Sequence, residues 1–230
     1  MEIYQIVYIV LYLGALFTYF IVEVRHNFKN RAIVKIIMAS MFLIYAWEEF
    51  LRLYYPNYVA NWVYFVLLIA ITLAYIGDVV LLFNFIIGGI SFLIGNIVFT
   101  VFGFLYMNFT GHQFVEIWWF ILIWIAFFGT YILLAFSKKF NELKKHVPPW
   151  GYMPIVCLHS SVAIPLAIVI HNPFIILLAI GLTLFTASDF FIMINHYVMK
   201  KSKTCLRINS GLYFIGLLII SLSITYIIFI

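Results

Sequence analysis

Charged residues are scarce in this chain of 230 residues. Aspartate, glutamate, lysine and arginine make up only 9% of it, whereas hydrophobic residues make up 67%. A soluble domain is nearer a quarter charged and half apolar, so this shortage excludes a water-soluble fold. The two cysteines, Cys157 and Cys205, give no disulfide framework.

Apolar segments of about 20 residues recur along the whole chain, and this is the length that a helix needs to cross a bilayer. Because backbone groups in lipid must be satisfied within each segment, such spans are helices. We therefore predict an all-α membrane protein with one polytopic domain over residues 1–230, an eight-transmembrane-helix bundle. The predicted spans are 3–22, 33–51, 60–83, 85–106, 115–136, 152–170, 173–195 and 208–229.

The basic residues predict the orientation of these spans. Of the 13 lysines and arginines, all except Arg52 fall in or beside the loops after the first, fifth and seventh spans. By the positive-inside rule these loops lie on the cytoplasmic side of the cell membrane, and both termini lie on the outer side. The net charge of +5 therefore indicates topology and predicts no nucleic-acid partner. At the outer end of the second span, we expect Glu48, Glu49 and Arg52 to form a solvated rim.

The chain has only two aspartates, and both lie inside apolar spans. An ionised carboxylate there costs about 2.5–3.5 kcal/mol, so intramembrane acids usually have a function. Asp78 and Asp189 each follow a small residue and precede an asparagine, Asn84 or Asn195, by six positions. Because their spans are four apart and run the same way, this pattern predicts two four-helix halves related by a parallel repeat. The alternative is chance recurrence in an apolar chain.

Depth also groups these acids with a histidine. At 1.5 Å per residue, both carboxyls lie about 8–9 Å inside the cytoplasmic boundary, and His159 lies at about the same depth. The same counting does not tell whether the three side chains face one another.

Small residues in the fourth and seventh spans, including Gly88, Ser91 and Gly181, predict close approach of neighbouring helices.

Short motifs stand near these acids: Gly77-Asp78-Val79-Val80-Leu81-Leu82, then Gly89 with Phe92-Leu93-Ile94-Gly95, then Ser188-Asp189. Together with Lys35 in the second span and Tyr213 in the last, they resemble the motifs of the lysoplasmalogenase-like (YhhN-type) membrane proteins. The resemblance covers spans two to eight. It implies eight spans and an enzyme that cleaves the vinyl ether bond of a lysoplasmalogen. The products would be a fatty aldehyde and a glycerophospho-alcohol.

Four positions depart from the family pattern: Asn96 stands in place of a histidine, Phe99 of a tyrosine, Ile36 of a proline and Leu217 of a glutamine. Asn96 can still form hydrogen bonds, but it cannot transfer a proton near neutral pH. If turnover needs that histidine or glutamine, this chain has different chemistry or none.

The implied chemistry needs two acids in unlike states. A vinyl ether is hydrolysed by protonation of its β-carbon, which leaves an oxocarbenium ion for water to capture. A neutral acid and a stabilising anion meet this need, as in glycosidases. We therefore predict Asp78 and Asp189 as the catalytic pair, with either as the acid, and His159 as a group that shares the proton or orients the water. The alternatives are neutral, hydrogen-bonded aspartates that join helices, and a His159 that is only a satisfied polar residue.

The predicted substrate contacts are Lys35, Asn96, Ser188 and Tyr213. Lys35, with Arg31, could hold a lipid phosphate at the inner leaflet, where basic residues attract anionic head groups; both also serve topology.

Zinc needs three protein ligands, whereas only one histidine lies well inside a span. We therefore expect no metal and no organic cofactor, and a lysophospholipid and membrane lipids as partners.

The sequence is compatible with two other functions. A proton-coupled transporter of a small solute or lipid would use both aspartates as proton sites. A catalytically silent protein would keep only the fold. The enzyme needs a pocket closed toward the outer face, whereas the transporter needs a path to both faces.

Overall fold

The computed structural model of the protein describes residues 2–24, 28–57, 62–137, 140, 143–145, 147–199 and 202–227. Within these ranges the chain forms nine α-helices, two short 3₁₀ turns and no strand. The helices are α1 (Ile3–Val24), α2 (Phe28–Asn57), α3 (Trp62–Leu81), α4 (Phe85–Phe109), α5 (Phe114–Ile117), α6 (Phe120–Phe136), α7 (Val147–Ile170), α8 (Pro173–Tyr197) and α9 (Lys203–Ser223).

Seven helical segments of the described chain are long and apolar enough to cross a membrane, which confirms the predicted class of helical membrane protein. They are α1, α3, α4, α7, α8, α9 and the segment that contains α5 and α6. The remaining long helix, α2, has charged residues near both ends, among them Lys35 and Glu49. An eighth span at 33–51 therefore stays a prediction. Arg25, His26, Lys138, Lys139, Lys200 and Lys201, from the predicted basic loops, lie outside the described residues.

The predicted fifth span, 115–136, is two helices rather than one. The Glu116 side chain accepts a hydrogen bond from the Gln113 backbone N–H at 2.8 Å and holds the single turn of α5. The Trp119 indole then donates to the Glu116 carbonyl at 3.1 Å. Because this carbonyl is one that the next helical turn would normally use, the helical hydrogen-bond pattern is interrupted at Trp118 and Trp119 before α6 begins.

Two helix pairs pack with almost no space between their backbones. In α3 and α4, a Cβ atom added at Gly88 would lie 2.7 Å from the Cα atom of Leu81, and the Ser91 hydroxyl donates to the Leu73 carbonyl at 2.9 Å. In α8 and α9, a Cβ atom at Gly181 would lie 2.8 Å from the Gly216 carbonyl oxygen. The prediction that small residues bring neighbouring helices together is therefore confirmed.

The asparagines of the predicted repeat have different surroundings. Asn84 caps α4, because its side chain accepts from the backbone N–H groups of Ile86 and Ile87 at 3.0 and 3.1 Å. Asn195 instead lies inside α8, where its Oδ1 atom has no hydrogen-bond partner among the described residues. The parallel repeat stays a prediction, and the matched aspartates support it better than the asparagines do.

Aromatic side chains fill the end of the bundle that lies farthest from the aspartates. Tyr64, Phe102, Tyr106 and Phe174, from α3, α4 and α8, are each at most 2% exposed. The Phe174 ring centroid lies 5.6 Å from that of Tyr64 and 5.2 Å from that of Tyr106. Edge-to-face contacts at these separations are favourable, so this aromatic plug, as we call the four residues, closes that end of the bundle.

Near the same end, Glu49 is not part of a solvated rim, contrary to the prediction. It is only 1% exposed, while Glu48 is exposed as expected. The Glu49 carboxylate accepts hydrogen bonds from the Tyr4 hydroxyl of α1 and, at 2.9 Å, from the Arg52 guanidinium. The sequence pattern could not reveal this burial because the cover comes from α1, a different helix.

Candidate functional site

A cavity of about 610 Å³ lies at the end of the bundle opposite the aromatic plug. It is bounded by the last turns of α1, α3 and α8 and the first turns of α2, α4, α7 and α9. Its wall is mostly apolar along α3 and α4, where it includes Leu81, Leu82, Ile86, Ile90 and Leu93. Ile86 and Ile90 are also 72% and 51% exposed. The cavity therefore reaches the lateral surface beside α4.

Asp78 lies on the cavity wall with two partners. Its Oδ1 atom is 2.9 Å from Nζ of Lys35 on α2, and its Oδ2 atom accepts a hydrogen bond from the Tyr213 hydroxyl of α9 at 2.6 Å. The Asp78 side chain is 1% exposed and that of Lys35 is 13% exposed. Because a buried charge needs a partner, the ammonium group of Lys35 favours the ionised form of Asp78.

Aromatic packing sets the position of Tyr213. The Phe92 ring stands edge-on to the Tyr213 ring with centroids 5.9 Å apart, and the Phe185 ring lies 5.2 Å away. Phe92 can approach α3 because the residue before Asp78 is glycine: a Cβ atom at Gly77 would lie 2.9 Å from the Phe92 ring. The small residue of the sequence motif thus makes room for the ring that positions Tyr213.

Asp189 lies on the same cavity wall in different surroundings. Its Oδ2 atom accepts a hydrogen bond from the Tyr152 hydroxyl of α7 at 2.9 Å, and its side chain is 6% exposed. No ion pair to Asp189 is present in the part of the chain that the structure describes. Asp189 lies within electrostatic range of Asp78, so an ionised Asp78 disfavours a second negative charge there.

Four of the predicted site residues line this cavity: Asp78, Asp189, Lys35 and Tyr213. The structure therefore brings together the two acids and two of the four predicted substrate contacts. Their chemical roles stay predictions, because a shared cavity wall does not by itself define a reaction.

The other three predicted residues, His159, Asn96 and Ser188, do not line the cavity. His159 is 1% exposed and lies between the rings of Phe99 and Phe185, with centroids 6.0 and 5.9 Å away. Its Nε2 atom has no hydrogen-bond partner among the described residues. The predicted depth of His159 is that of the acids, but its side chain is packed against these two rings and does not line the cavity.

Asn96 and Ser188 are both buried beside the site. The Asn96 amide faces the Tyr152 hydroxyl, but its atoms form no hydrogen bond of full geometry within the described chain. Ser188 donates to the Phe185 carbonyl at 2.7 Å, within its own helix. Asn96 thus lies next to the group that holds Asp189, whereas the Ser188 hydroxyl is already used by the backbone.

Sequence reasoning missed Tyr152, which holds the second aspartate. The sequence predicts Tyr152 only as the first residue of the sixth span. One signal was available, since Tyr152 lies seven residues before His159 and therefore on the same face of α7. The pairing with Asp189 depends on how α7 packs against α8, which helical spacing alone does not fix.

The rim of the cavity carries several polar residues. Arg31 and Lys35 line it one turn apart on α2, and Asn209 and Ser210 line it on α9. His196 of α8 also lines the cavity, and its ring stacks on Phe85 of α4 with centroids 3.9 Å apart. Within the described residues, no group of three His, Cys, Asp or Glu side chains could hold a metal ion.

A bundle of apolar helices with two buried carboxylates in an apolar-walled cavity defines a polytopic membrane protein with an acidic intramembrane site. The chain matches the model of the YhhN family over residues 30–224. Because this match covers most of the chain, the protein belongs to the YhhN family, and the resemblance seen in its motifs is confirmed. No curated protein and no solved structure matches the chain.

Proposed function

We propose that the protein is a membrane-embedded hydrolase that cleaves the vinyl ether bond of a lysoplasmalogen. The observation that carries this proposal is the pair of aspartates on one cavity wall, each with different partners. Membership of the YhhN family is consistent with such a function. The cavity also suits a single-chain lipid, because its polar residues lie at the bundle end and its apolar wall extends to the lateral surface.

From the different partners of the two aspartates we propose the roles that the sequence left open. Asp78, held by the Lys35 ammonium and the Tyr213 hydroxyl, is the anion that stabilises the oxocarbenium ion. Asp189, which has only a hydroxyl donor among the described side chains, is the neutral acid. When two neighbouring carboxyl groups have different surroundings, one can stay protonated while the other is ionised.

The reaction then proceeds in balanced steps. Asp189 gives its proton to the β-carbon of the vinyl ether, whose double bond becomes the C–H bond and an oxocarbenium ion. Water adds to the oxocarbenium carbon and loses a proton to the Asp189 carboxylate, which restores the acid. The resulting hemiacetal then collapses: its bond to the glycerol oxygen breaks, its hydroxyl proton passes to that oxygen, and the products are the fatty aldehyde and the glycerophospho-alcohol.

The proton-coupled transporter is the alternative. It needs a path from the aspartates to both membrane faces, and the aromatic plug occupies the far end of the bundle with side chains that are at most 2% exposed. A cavity that is closed at one end and open sideways favours an enzyme that acts on a lipid.

The direct test is to incubate the purified protein with a lysoplasmalogen and, in parallel, with a lysolipid whose ether chain is saturated. We expect free aldehyde from the first lipid alone. Asp78→Asn and Asp189→Asn should each lower the rate at least a hundredfold, as loss of an essential acid or base does. Glu48→Gln is the matched control, because this carboxylate is exposed and lies at the other end of α2.

Either aspartate variant with near-normal turnover would remove that residue from the mechanism. Absence of aldehyde with the unmodified, folded protein would reject the hydrolase. Proton uptake driven by a solute gradient in vesicles would then favour the transporter.

A further inference from the structure

We infer that Asn209 and Ser210 form a subsite for the free hydroxyl group of a single-chain glycerophospholipid. This inference rests on the proposed function and deepens it. It names the two residues by which the protein would distinguish a lipid with one chain from a lipid whose middle glycerol carbon is substituted.

Both residues present unused hydrogen-bonding groups to the cavity. Ser210 is 5% exposed and lines the cavity, as does the half-buried Asn209. Neither side chain forms a hydrogen bond within the part of the protein that the structure describes. The Ser210 oxygen is not one of the fully buried atoms that lack a partner among the described residues, so it is open to the cavity that it lines. The arrangement is therefore suited to a ligand that supplies the missing bonds.

The chemistry of the two side chains indicates what that ligand group is. An asparagine amide and a serine hydroxyl each offer a donor and an acceptor, and an alcohol both donates and accepts. An ether or ester oxygen at the same place can only accept a hydrogen bond. It would therefore leave the acceptor oxygen of Asn209 or of Ser210 without a donor. A site built to bind a hydroxyl discriminates strongly against an analogue that lacks it.

Helical spacing places this subsite at the right depth. Asn209, Ser210 and Tyr213 share one face of α9, and Tyr213 donates to Asp78. Three to four residues along a helix correspond to about 4.5–6 Å, so the subsite lies one turn nearer the bundle end than the aspartate. On α2, Arg31 likewise lies one turn nearer that end than Lys35, the partner of Asp78.

The two levels of the cavity match the groups of the proposed substrate. One turn nearer the bundle end than the aspartates, the cavity offers the Arg31 guanidinium on α2 and the amide and hydroxyl on α9. A lysophospholipid presents a phosphate, then a hydroxyl on the middle glycerol carbon, then the ether oxygen. Binding of the phosphate near Arg31 and of the hydroxyl at Asn209 and Ser210 would bring the vinyl ether to the acids.

Binding of a non-hydrolysable lipid tests this subsite separately from catalysis. The probes are a 1-O-octadecyl glycerophosphocholine with a free hydroxyl on the middle carbon and its 2-O-methyl counterpart, titrated into the full-length protein in nanodiscs by calorimetry. We expect the wild-type protein to bind the free-hydroxyl lipid about tenfold more tightly, the effect of one or two satisfied hydrogen bonds. Ser210→Ala and Asn209→Ala should each reduce this ratio severalfold.

Ser223→Ala is the matched control. It removes a buried hydroxyl from the same chain segment, but that hydroxyl donates to the Ile220 carbonyl at 2.7 Å at the far end of α9. It should leave the ratio unchanged. Equal binding of the two lipids by the wild-type protein would overturn the inference, and so would variants that weaken both lipids equally. A preserved ratio in a protein that releases no aldehyde would instead reject the hydrolase and keep the subsite.

Discussion

The aspartates of the cavity differ chiefly in whether a cation accompanies them. Lys35 reaches Asp78 from α2 at 2.9 Å, whereas Asp189 receives only the Tyr152 hydroxyl among the described side chains. In a low-dielectric interior this difference is large, because an isolated buried charge is costly and a paired one much less so. At the scale of single residues, the ion pair is therefore the feature that makes the two acids unequal.

Removing Lys35 should therefore destabilise the protein through the charge that it leaves behind. We expect Lys35→Met to lower the free energy of unfolding by about 3 kcal/mol, because Asp78 then remains buried without a cation. Adding Asp78→Asn should recover most of this loss. The measurement is denaturant unfolding in mixed micelles, with Lys203→Met, an exposed lysine of α9, as the control. A single variant as stable as the wild-type protein would show that Asp78 does not need the ammonium group.

Among elements, the pairs α3/α4 and α8/α9 provide the rigid walls of the cavity. In each pair glycine removes the side chain that would hold the helices apart. Lipid offers no hydrophobic drive for helices to associate, so close packing of this kind accounts for much of their cohesion. A cavity between two rigid pairs keeps its shape better than one between loosely packed helices.

A methyl group added at the contact between α8 and α9 should measurably lower the stability of the protein. Gly181→Ala would place its Cβ atom 2.6 Å from the Ile220 side chain and 2.8 Å from the Gly216 carbonyl oxygen. We expect a loss of about 1–3 kcal/mol in the free energy of unfolding, as in overpacked cores. Gly14→Ala in α1 meets nothing within 4 Å and should be neutral or slightly stabilising. Thermal unfolding midpoints that shift equally in both variants would contradict this packing.

At the scale of the whole molecule, the cavity should admit one lipid chain beside α4. Gly89 lines the cavity, and a Cβ atom there would meet nothing within 4 Å. Gly89→Phe should therefore fill the space without disturbing the fold. We expect binding of the octadecyl lipid to weaken at least tenfold, since the ring would occupy volume that the chain needs. Gly14→Phe, on the lipid-facing side of α1, is the control. Unchanged affinity in the Gly89 variant would place the lipid elsewhere.

The predicted orientation can be tested by labelling, because both natural cysteines are buried. We expect a membrane-impermeant thiol reagent to label His112→Cys, in the turn between α4 and α5, in intact cells. Lys145→Cys, near the cavity end, should react only after the membrane is permeabilised. This outcome follows from the positive-inside rule. The reverse pattern would place the cavity on the outer side of the membrane.

The acid pair was predictable because a carboxylate in an apolar run is costly and therefore conspicuous. Lys35 and Tyr213 followed from the resemblance of short motifs. The depth of His159 was readable from helical rise, but the direction of its side chain was not, and neither was the pairing of Tyr152 with Asp189. Those features depend on the rotation of each helix about its axis, which neighbouring helices set.

The helix boundaries were likewise only partly predictable from the sequence. The long apolar runs predicted the spans, because span length follows from bilayer thickness. The break at Trp118 and Trp119 was not predictable from hydropathy, since both sides of it are apolar. Likewise, Glu49 looks solvent-exposed beside Glu48 and Arg52, and only the Tyr4 hydroxyl of α1 reveals its burial.

Tyr64, Phe102, Tyr106 and Phe174 have a consequence for how such an enzyme would consume its lipid. Because they fill one end of the bundle within the described residues, we expect the acids to be reached by molecules of the monolayer at the other end. In sealed liposomes with uniform protein orientation, we would thus see turnover halt when half of the lipid pool remains. It would resume only as fast as molecules exchange between the two leaflets.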